Sequence, residues 1–163
     1  MKAISLWQPW ATLWLLSNPD EKIFETRHWY TSHRGPLLVH AAKKRDGEVR
    51  DALAGGPLVS ALLRHGFRAD DEEGRHLAFG ALIGCVDLIG VRRTENVDVS
   101  ERERSAGNWQ PGRYAWERGP KPLLFETPIP WKGSQGFFEV ECASDFILPE
   151  VRRKLAGEMG PRS

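Results

Sequence analysis

The sequence predicts an α+β domain built around a small, partly open β-barrel. Three observations lead to this fold class: the strand-like stretches are short, few helices separate them, and proline and glycine punctuate the chain. The longest predicted strand also contains glycines, which small barrels use where a sheet bends sharply. With 163 residues, the chain is long enough for one compact domain with its own hydrophobic core.

The N-terminal residues predict one strand and one helix. The stretch Lys2–Trp7 alternates as a strand, with Ile4 and Leu6 on one face. Pro9 favours the first turn of the helix, because the N–H that proline lacks would have no partner there. The helix is predicted to end near Ser17, and i, i+3, i+4 spacing places three apolar side chains on one face: Trp10, Leu13 and Trp14.

The middle of the chain predicts two strands, two short helices and then the longest strand. Alternation predicts a strand over Lys22–Tyr30, and the apolar run Pro36–Ala42 predicts a central strand covered on both faces. Glu48–Gly66 is typical of two helices separated by a Gly-Gly pair. The longest strand spans Leu77–Arg93, and bulges or bends are expected at three of its residues: Gly80, Gly84 and Gly90.

The last third of the chain is more polar, and proline and glycine interrupt its predicted strands more often. Thr94–Asn108 is predicted to be a loop or a solvated helix, and Gly112–Glu141 holds short strands separated by proline and glycine. From Pro149 onwards the composition favours a short amphipathic helix. We therefore predict one domain over residues 1–148 and a tail over residues 149–163.

Charge and cysteine content limit the classes of function. The formal net charge is +1 and the sequence pI about 7.9, so nucleic-acid binding would require a local basic patch. Cys85 and Cys142 lie far apart in apolar contexts typical of inert buried thiols. The five histidines lack metal-ligand spacing, so we expect no metal and no cofactor. We also expect no leader and no membrane-spanning segment, and hence a cytoplasmic protein without a membrane partner.

Polar residues cluster beside aromatic residues at three places. The first cluster joins an amide to two indoles: Trp7, Gln8, Pro9 and Trp10. The second lies along a predicted strand and just beyond it: Lys22, Glu25, Thr26, Arg27, Trp29 and Arg34. A separate basic residue, Lys43, follows the next strand. The third lies in the C-terminal strands: Tyr114, Trp116, Lys132, Gly133, Gln135 and Phe138. Aromatic rings beside hydrogen-bonding groups are typical of sites that bind a nucleobase.

Each of these residues also has a structural alternative. Trp7 lies at a strand exit, which favours a cleft, whereas Trp10 shares its predicted face with Trp14, which favours the core. Gln8 could bind a base edge or cap the helix. Trp29 could stack on a base or be buried in the core.

The charged residues have similar alternatives. Glu25 and Arg27 share a strand face and form either an ion pair or a pocket wall, in which the carboxylate accepts from an exocyclic amine and the guanidinium holds a carbonyl or phosphate. Arg34 and Lys43 bind phosphates or are solvated charges. His40 is expected to be a hydrogen-bonded core histidine.

Four blocks of the sequence resemble the ASCH family, which is named after the homology domain of a human transcription coactivator. The blocks "QPW", "K..ETR.W", "RG.L..HA" and "PIP.KG.QG" occur in this order between Lys2 and Glu141. Each block alone is weak, but the ordered combination is specific. The resemblance implies a PUA-like fold, which is a small pseudo-barrel with flanking helices, and an association with RNA or DNA binding.

The resemblance also implies a hydrolase as an alternative function. Some short bacterial members hydrolyse N4-acylated cytidine with a lysine at the place of Lys22 and a nucleophilic threonine three positions later. Here that position is Glu25, and Thr26 follows on the opposite face of an ideal strand. The glutamate of that branch could correspond to Glu101 or Glu103. The catalytic set for this alternative is Lys22, Glu25 and Thr26.

The leading interpretation is a binding domain whose cleft holds one base of single-stranded RNA or a modified nucleoside. Single-stranded DNA is a further candidate partner, and the oligomeric state is not predicted. The alternatives are an amidohydrolase that deacylates N4-acylated cytidine, a protein-interaction module and, in last place, a ribonuclease, because no carboxylate cluster suited to two metals is recognisable.

Overall fold

A computed structural model of the chain describes residues 1–16, 22–68 and 75–141. The predicted tail over residues 149–163, the predicted helix end at Ser17 and the thiol of Cys142 lie outside the described residues. Within them, no helix is long and apolar enough to cross a membrane.

Short strands and short helices alternate along the described chain. In chain order they are β1 (Lys2–Leu6), α1 (Trp10–Trp14), β2 (Phe24–Arg27), β3 (Gly35–Ala41), α2 (Glu48–Leu53), α3 (Pro57–Arg64), β4 (Phe67–Arg68), β5 (Arg75–His76), β6 (Ala81–Arg93), a 3₁₀ turn (Thr94–Asn96), α4 (Glu101–Ser105), β7 (Tyr114–Arg118), β8 (Leu123–Pro130) and β9 (Phe137–Glu139).

One seven-stranded sheet curves into the barrel. The strand order is β2-β7-β6-β3-β1-β9, and β8 also pairs with β6. Strands β1 and β3 are parallel, and the other pairs in this sheet are antiparallel. Trp29, which follows β2, contacts Phe137 at the start of β9, with ring centroids 5.1 Å apart. The two ends of the sheet therefore meet, and the fold is the predicted α+β pseudo-barrel.

The apolar faces of the strands form the core as the periodicity predicts. Ile4 and Leu6 of β1 are buried in one cluster. In β3, Leu37 and Val39 pack in that same cluster, whereas Leu38 packs in a second one on the other face. The predictions that Ile4 and Leu6 share one face of β1 and that β3 is covered on both faces are confirmed.

Glycines mark the bends of β6. The pairing register shifts beside Gly84 and again between Leu88 and Gly90. A Cβ on Gly84 would lie 2.3 Å from the Leu123 carbonyl oxygen, so only glycine lets β8 approach β6 there. The prediction of bulges at these two glycines is confirmed, and Gly80 makes the turn into β6 with a φ of +66°.

Three predicted elements differ from the structure. Helix α1 is shorter than predicted and ends at Trp14. Strand β2 covers only four of the predicted residues, because β7 begins at Tyr114, opposite Arg27, and gives the next residues no ladder partner. The segment 94–108 is not wholly solvated, because Glu103 of α4 is buried.

Charged side chains cover the free edge of β2. The Glu103 carboxylate accepts hydrogen bonds from the N–H of Ile23 and, at 2.8 Å, from that of Phe24. The Lys22 ammonium donates to the Phe24 carbonyl. An uncovered strand edge is a template for pairing with another chain. Here the edge is occupied, and the start of β2 is fixed in place.

Replacing Glu103 by alanine is expected to lower the free energy of unfolding by about 2–4 kcal/mol, because two backbone N–H groups lose their acceptor. Glu101→Ala, on the exposed side of the same short helix, is the matched control and should change stability by less than about 1 kcal/mol. Urea denaturation followed by tryptophan fluorescence measures both. Equal effects of the two variants would contradict this account of the edge.

Candidate functional site

A cleft of about 1240 Å³ opens where the ends of the sheet meet. Strand β2 contributes one wall, and the loop between β8 and β9 contributes another. Pockets for small molecules usually measure about 300–1,000 Å³, so this cleft has room for more than a single heterocycle.

The structure brings nine of the candidate residues together in this cleft. They come from the start of α1, from β2 and its flanks, and from two loops: Trp7, Trp10, Lys22, Glu25, Thr26, Arg27, Trp29, Lys43 and Gln135. Trp7 and the Glu25–Arg27 pair therefore line one hollow, although 18 residues separate them in the sequence.

Gln8 and Pro9 do not line the cleft. The Gln8 side chain has no exposed surface; its Oε1 accepts from the Thr12 N–H at 3.1 Å and its Nε2 donates to the Ala78 carbonyl at 2.9 Å. Both ends of the amide are thus used to anchor helix α1. Pro9 is buried at the start of that helix.

Three more candidates lie outside the cleft. Trp116 is fully buried in the main core, and its ring packs edge-on against Trp29. The Arg34 guanidinium donates to the carbonyls of Thr31 and His33 in its own turn. Tyr114 is half-buried on β7, beyond the lining residues.

Two indole rings give the cleft its aromatic surface. Trp7 is 42% exposed, and the Lys44 ammonium lies 4.6 Å from the centre of its ring. Trp10 is half-buried and lines the cleft. Trp14, one turn further along α1, is fully buried and donates to the Ile23 carbonyl at 2.9 Å. The expectation that Trp10 and Trp14 share one environment is wrong, because only Trp14 faces the core.

Glu25 is a buried carboxylate with charged neighbours but little hydrogen bonding. It is only 7% exposed. Its Oε2 lies 3.0 Å from Lys22 Nζ, yet this contact is not aligned as a hydrogen bond, and Oε2 has no hydrogen-bond partner in the described part of the chain. Its Oε1 is 3.7 Å from Arg27 Nη1, which is beyond hydrogen-bonding distance. Arg27 Nε is also buried without a partner there.

Lys22 is held from several sides. Its Nζ donates to the carbonyls of Phe24 and Ala106 and forms the ion pair with Glu25. Arg118 fixes the backbone of Lys22, because its Nε donates to the Lys22 carbonyl at 3.2 Å. Burial lowers the pKa of Arg118 to about 10, and the nearby carboxylate of Glu103 opposes this shift.

Thr26 lines the cleft beside Glu25, although strict alternation places the two on opposite faces. Its Oγ1 accepts from the Asn108 N–H at 3.0 Å. Because β2 is an edge strand, residues from both of its faces can border a cleft that surrounds the edge. Within residues 1–16, 22–68 and 75–141, no three His, Cys, Asp or Glu side chains are placed to hold a metal ion.

Sequence reasoning missed several residues that line the cleft, among them Ser5, Asn108 and Arg113. Arg113 Nε donates to the Asn108 carbonyl and its Nη2 to that of Thr26, at 3.1 and 3.2 Å. Nothing in the local sequence distinguishes this arginine from the other basic residues, since its position depends on a contact across 87 residues.

His40 fixes the floor of the cleft and the loop above it. Its Nε2 lies 2.7 Å from the Trp131 carbonyl, which can only accept, so Nε2 carries the proton and Nδ1 accepts from the Ser5 hydroxyl at 2.9 Å. Burial lowers the pKa of His40. A Cβ on Gly133 would lie 2.5 Å from the His40 ring, so glycine is required there. The prediction of a hydrogen-bonded, buried His40 is confirmed.

The curved sheet and the sequence similarity together support the class of ASCH-type domains. The chain is 40% identical over 88 residues to activating signal cointegrator 1 of Mus musculus and 39% identical over 88 residues to that of Homo sapiens. Each match covers 53% of this chain and 13% of the relative, so the chain corresponds to a small part of those proteins. No family model matches the chain.

His40 is expected to make the fold acid-sensitive. Its pKa in the folded protein lies below the ordinary 6.5. Below about pH 6.5, His40 therefore binds a proton in the unfolded chain more readily than in the folded chain. Stability is therefore full above about pH 6.5 and falls as the pH decreases towards the lowered pKa. Urea denaturation between about pH 7.5 and pH 5 should show a smaller decrease for His40→Gln than for the wild type.

His76→Gln, at an exposed position on β5, provides the control and should retain the wild-type decrease. An unchanged pH dependence in the His40 variant would contradict the prediction.

Proposed function

We propose that this ASCH-type domain binds nucleic acid, and that its cleft holds one base of a single-stranded RNA. The family resemblance supports nucleic-acid binding in general. The choice of a flat base as the ligand rests on the cleft itself, where indole surface lies beside a carboxylate and a guanidinium. Single-stranded DNA is the second ligand to test.

The Glu25 carboxylate is the observation that carries the proposal. A buried carboxylate normally accepts several hydrogen bonds, because leaving such a group without them is unfavourable. Glu25 has two cations near it but no aligned hydrogen bond at Oε2, and the neighbouring Arg27 Nε is an unused donor. A base with an exocyclic amine and a ring carbonyl offers the donor and the acceptor that complement these two side chains, both of which line the cleft. Cytosine and guanine carry that pair of groups, whereas adenine lacks the carbonyl and uracil the amine.

The aromatic residues and the rim charges support the same ligand. Stacking of a base on an aromatic side chain contributes about 1–3 kcal/mol, and Trp7 and Trp10 both border the cleft. Five cationic side chains line it against two carboxylates: Lys22, Arg27, Lys43, Arg113 and Lys132 against Glu25 and Glu48. The positive charge is thus concentrated in the cleft of a chain whose net charge is only +1, which favours binding of phosphates there.

Glu25→Gln tests the proposal with almost no change of shape. Loss of a charge-assisted hydrogen bond, worth about 1.5–3 kcal/mol, should weaken the binding of cytidine or guanosine roughly 10-fold or more. Calorimetric titration with the four nucleosides and with a short unstructured RNA measures this effect, and thermal melting checks that the fold is intact.

Glu117→Gln makes the same chemical change on β7, where Glu117 pairs with Arg92, and should leave the affinity unchanged. If neither nucleosides nor single-stranded RNA bind the wild-type protein, the proposed function is wrong. If affinity survives Glu25→Gln, this carboxylate does not read the base.

Hydrolysis of N4-acylated cytidine is the second candidate, because Lys22, Glu25 and Thr26 all line the cleft. The surroundings of Lys22 oppose a role as general base. Its Nζ donates to two backbone carbonyls and forms an ion pair with Glu25, so the nitrogen is held by the fold rather than directed at a ligand. We expect N4-acetylcytidine to remain intact after incubation with the protein, as measured by chromatography. Release of cytidine by the wild type, with loss of release in Lys22→Ala, would instead favour the hydrolase.

A further inference from the structure

We infer that a second base stacks on Tyr30, outside the cleft, so that the domain binds an oligonucleotide strand rather than a free nucleoside. This inference rests on the proposed function and extends it from one base to two. It assigns a role to an aromatic pair, Tyr30 and Tyr114, that lies outside the cleft lining.

Tyr30 is exposed but held in place. It is 54% exposed, more than Trp7, Leu63 or Ile89, the other large hydrophobic side chains that are exposed in the described part of the chain. Its ring centroid lies 5.6 Å from that of Tyr114 at an interplanar angle of 64°. Tyr114 in turn packs against the main core. A tyrosine that packs edge-on against a second ring and leaves about half of its surface open to solvent is a platform on which a base can stack.

Arg113 connects this platform to the cleft. It lines the cleft and directly precedes Tyr114 in the chain. Two backbone carbonyls, of Asn108 and Thr26, hold its Nε and Nη2. A guanidinium has five N–H groups, so this anchoring leaves three donors for a ligand. A guanidinium with a fixed orientation is well suited to a phosphate, here the one between the two bases.

The pairing register of the strands places an arginine on each side of Tyr114, along the path proposed for the nucleic-acid strand. Arg27 of β2 pairs with Tyr114 of β7, and Tyr114 pairs with Arg93 of β6. Directly opposed residues of antiparallel strands have their side chains on the same face, so a guanidinium flanks Tyr114 on either side. The Arg93 guanidinium lies 5.5 Å from the Tyr114 ring. Its contact with Glu95 is a 3.7 Å pair at the surface, which competes only weakly with a phosphate.

Mononucleotides and dinucleotides separate the two base sites. AMP, CMP, GMP and UMP are titrated by calorimetry, and the one that binds best is then extended by an adenosine on its 5′ or 3′ side. One of the two dinucleotides should bind about 10-fold more tightly than the mononucleotide, which is within the range for stacking one base. The same dinucleotide with an abasic second sugar keeps the phosphate and should lose most of this gain.

Tyr30→Ala should reduce the affinity of the dinucleotide to that of the abasic ligand and leave that of the mononucleotide unchanged. Tyr30→Phe keeps the ring and should keep the gain. Leu63→Ala, which truncates an exposed apolar side chain on α3, is the control and should change neither affinity.

The outcomes distinguish the inference from the function on which it rests. If mononucleotides bind but the second base adds nothing, or its gain survives Tyr30→Ala, the inference is overturned and the base-binding cleft stands. If neither mononucleotides nor dinucleotides bind, the proposed function fails and the inference fails with it. A gain that persists with the abasic ligand would assign the second contact to Arg113 and the phosphate alone, and would also overturn stacking on Tyr30.

Discussion

The site depends on how the free edge of β2 is covered. At the start of this edge, Glu103 accepts hydrogen bonds from the backbone N–H groups, and Lys22 donates one to a neighbouring backbone carbonyl. The same ammonium then forms the ion pair that positions Glu25. Protection of an edge strand and placement of the cleft carboxylate are therefore parts of one network, and a change that exposes the edge would also displace the carboxylate.

The position of the cleft follows from how the sheet closes. Trp29 and Phe137 bring the two end strands together through ring contacts rather than backbone hydrogen bonds. A closure of this kind leaves room between the strands, and polar side chains from both ends face the gap. His40 keeps the remaining wall in place, since it fixes the Trp131 carbonyl and packs against Gly133. The barrel and the opening in it are consequences of the same incomplete pairing.

Local patterns were enough to predict most of the fold, but only part of the site. The apolar run of β3 and the bends at Gly84 and Gly90 depend on neighbouring residues and on glycine itself, so the sequence displays them directly. The roles of Glu103 and Arg113 come from contacts across 79 to 87 residues, which periodicity cannot indicate. From the sequence alone, the Gln8 amide could hydrogen-bond either a ligand or the backbone. Only its complete burial in the structure shows that it bonds the backbone.

The pairing of Glu25 is better suited to binding than to stability. A buried ion pair contributes little net stability, because removing both charges from water offsets their attraction unless further hydrogen bonds satisfy them. Glu25 lacks such a bond at Oε2, so the fold gains little from burying it. A neutral base that donates one N–H group to this carboxylate would add the missing bond without adding charge. The phosphates, which do carry charge, would meet the rim cations Lys43, Lys132 and Arg113 instead. In the proposed complex, recognition of the base would thereby be separate from attraction of the backbone.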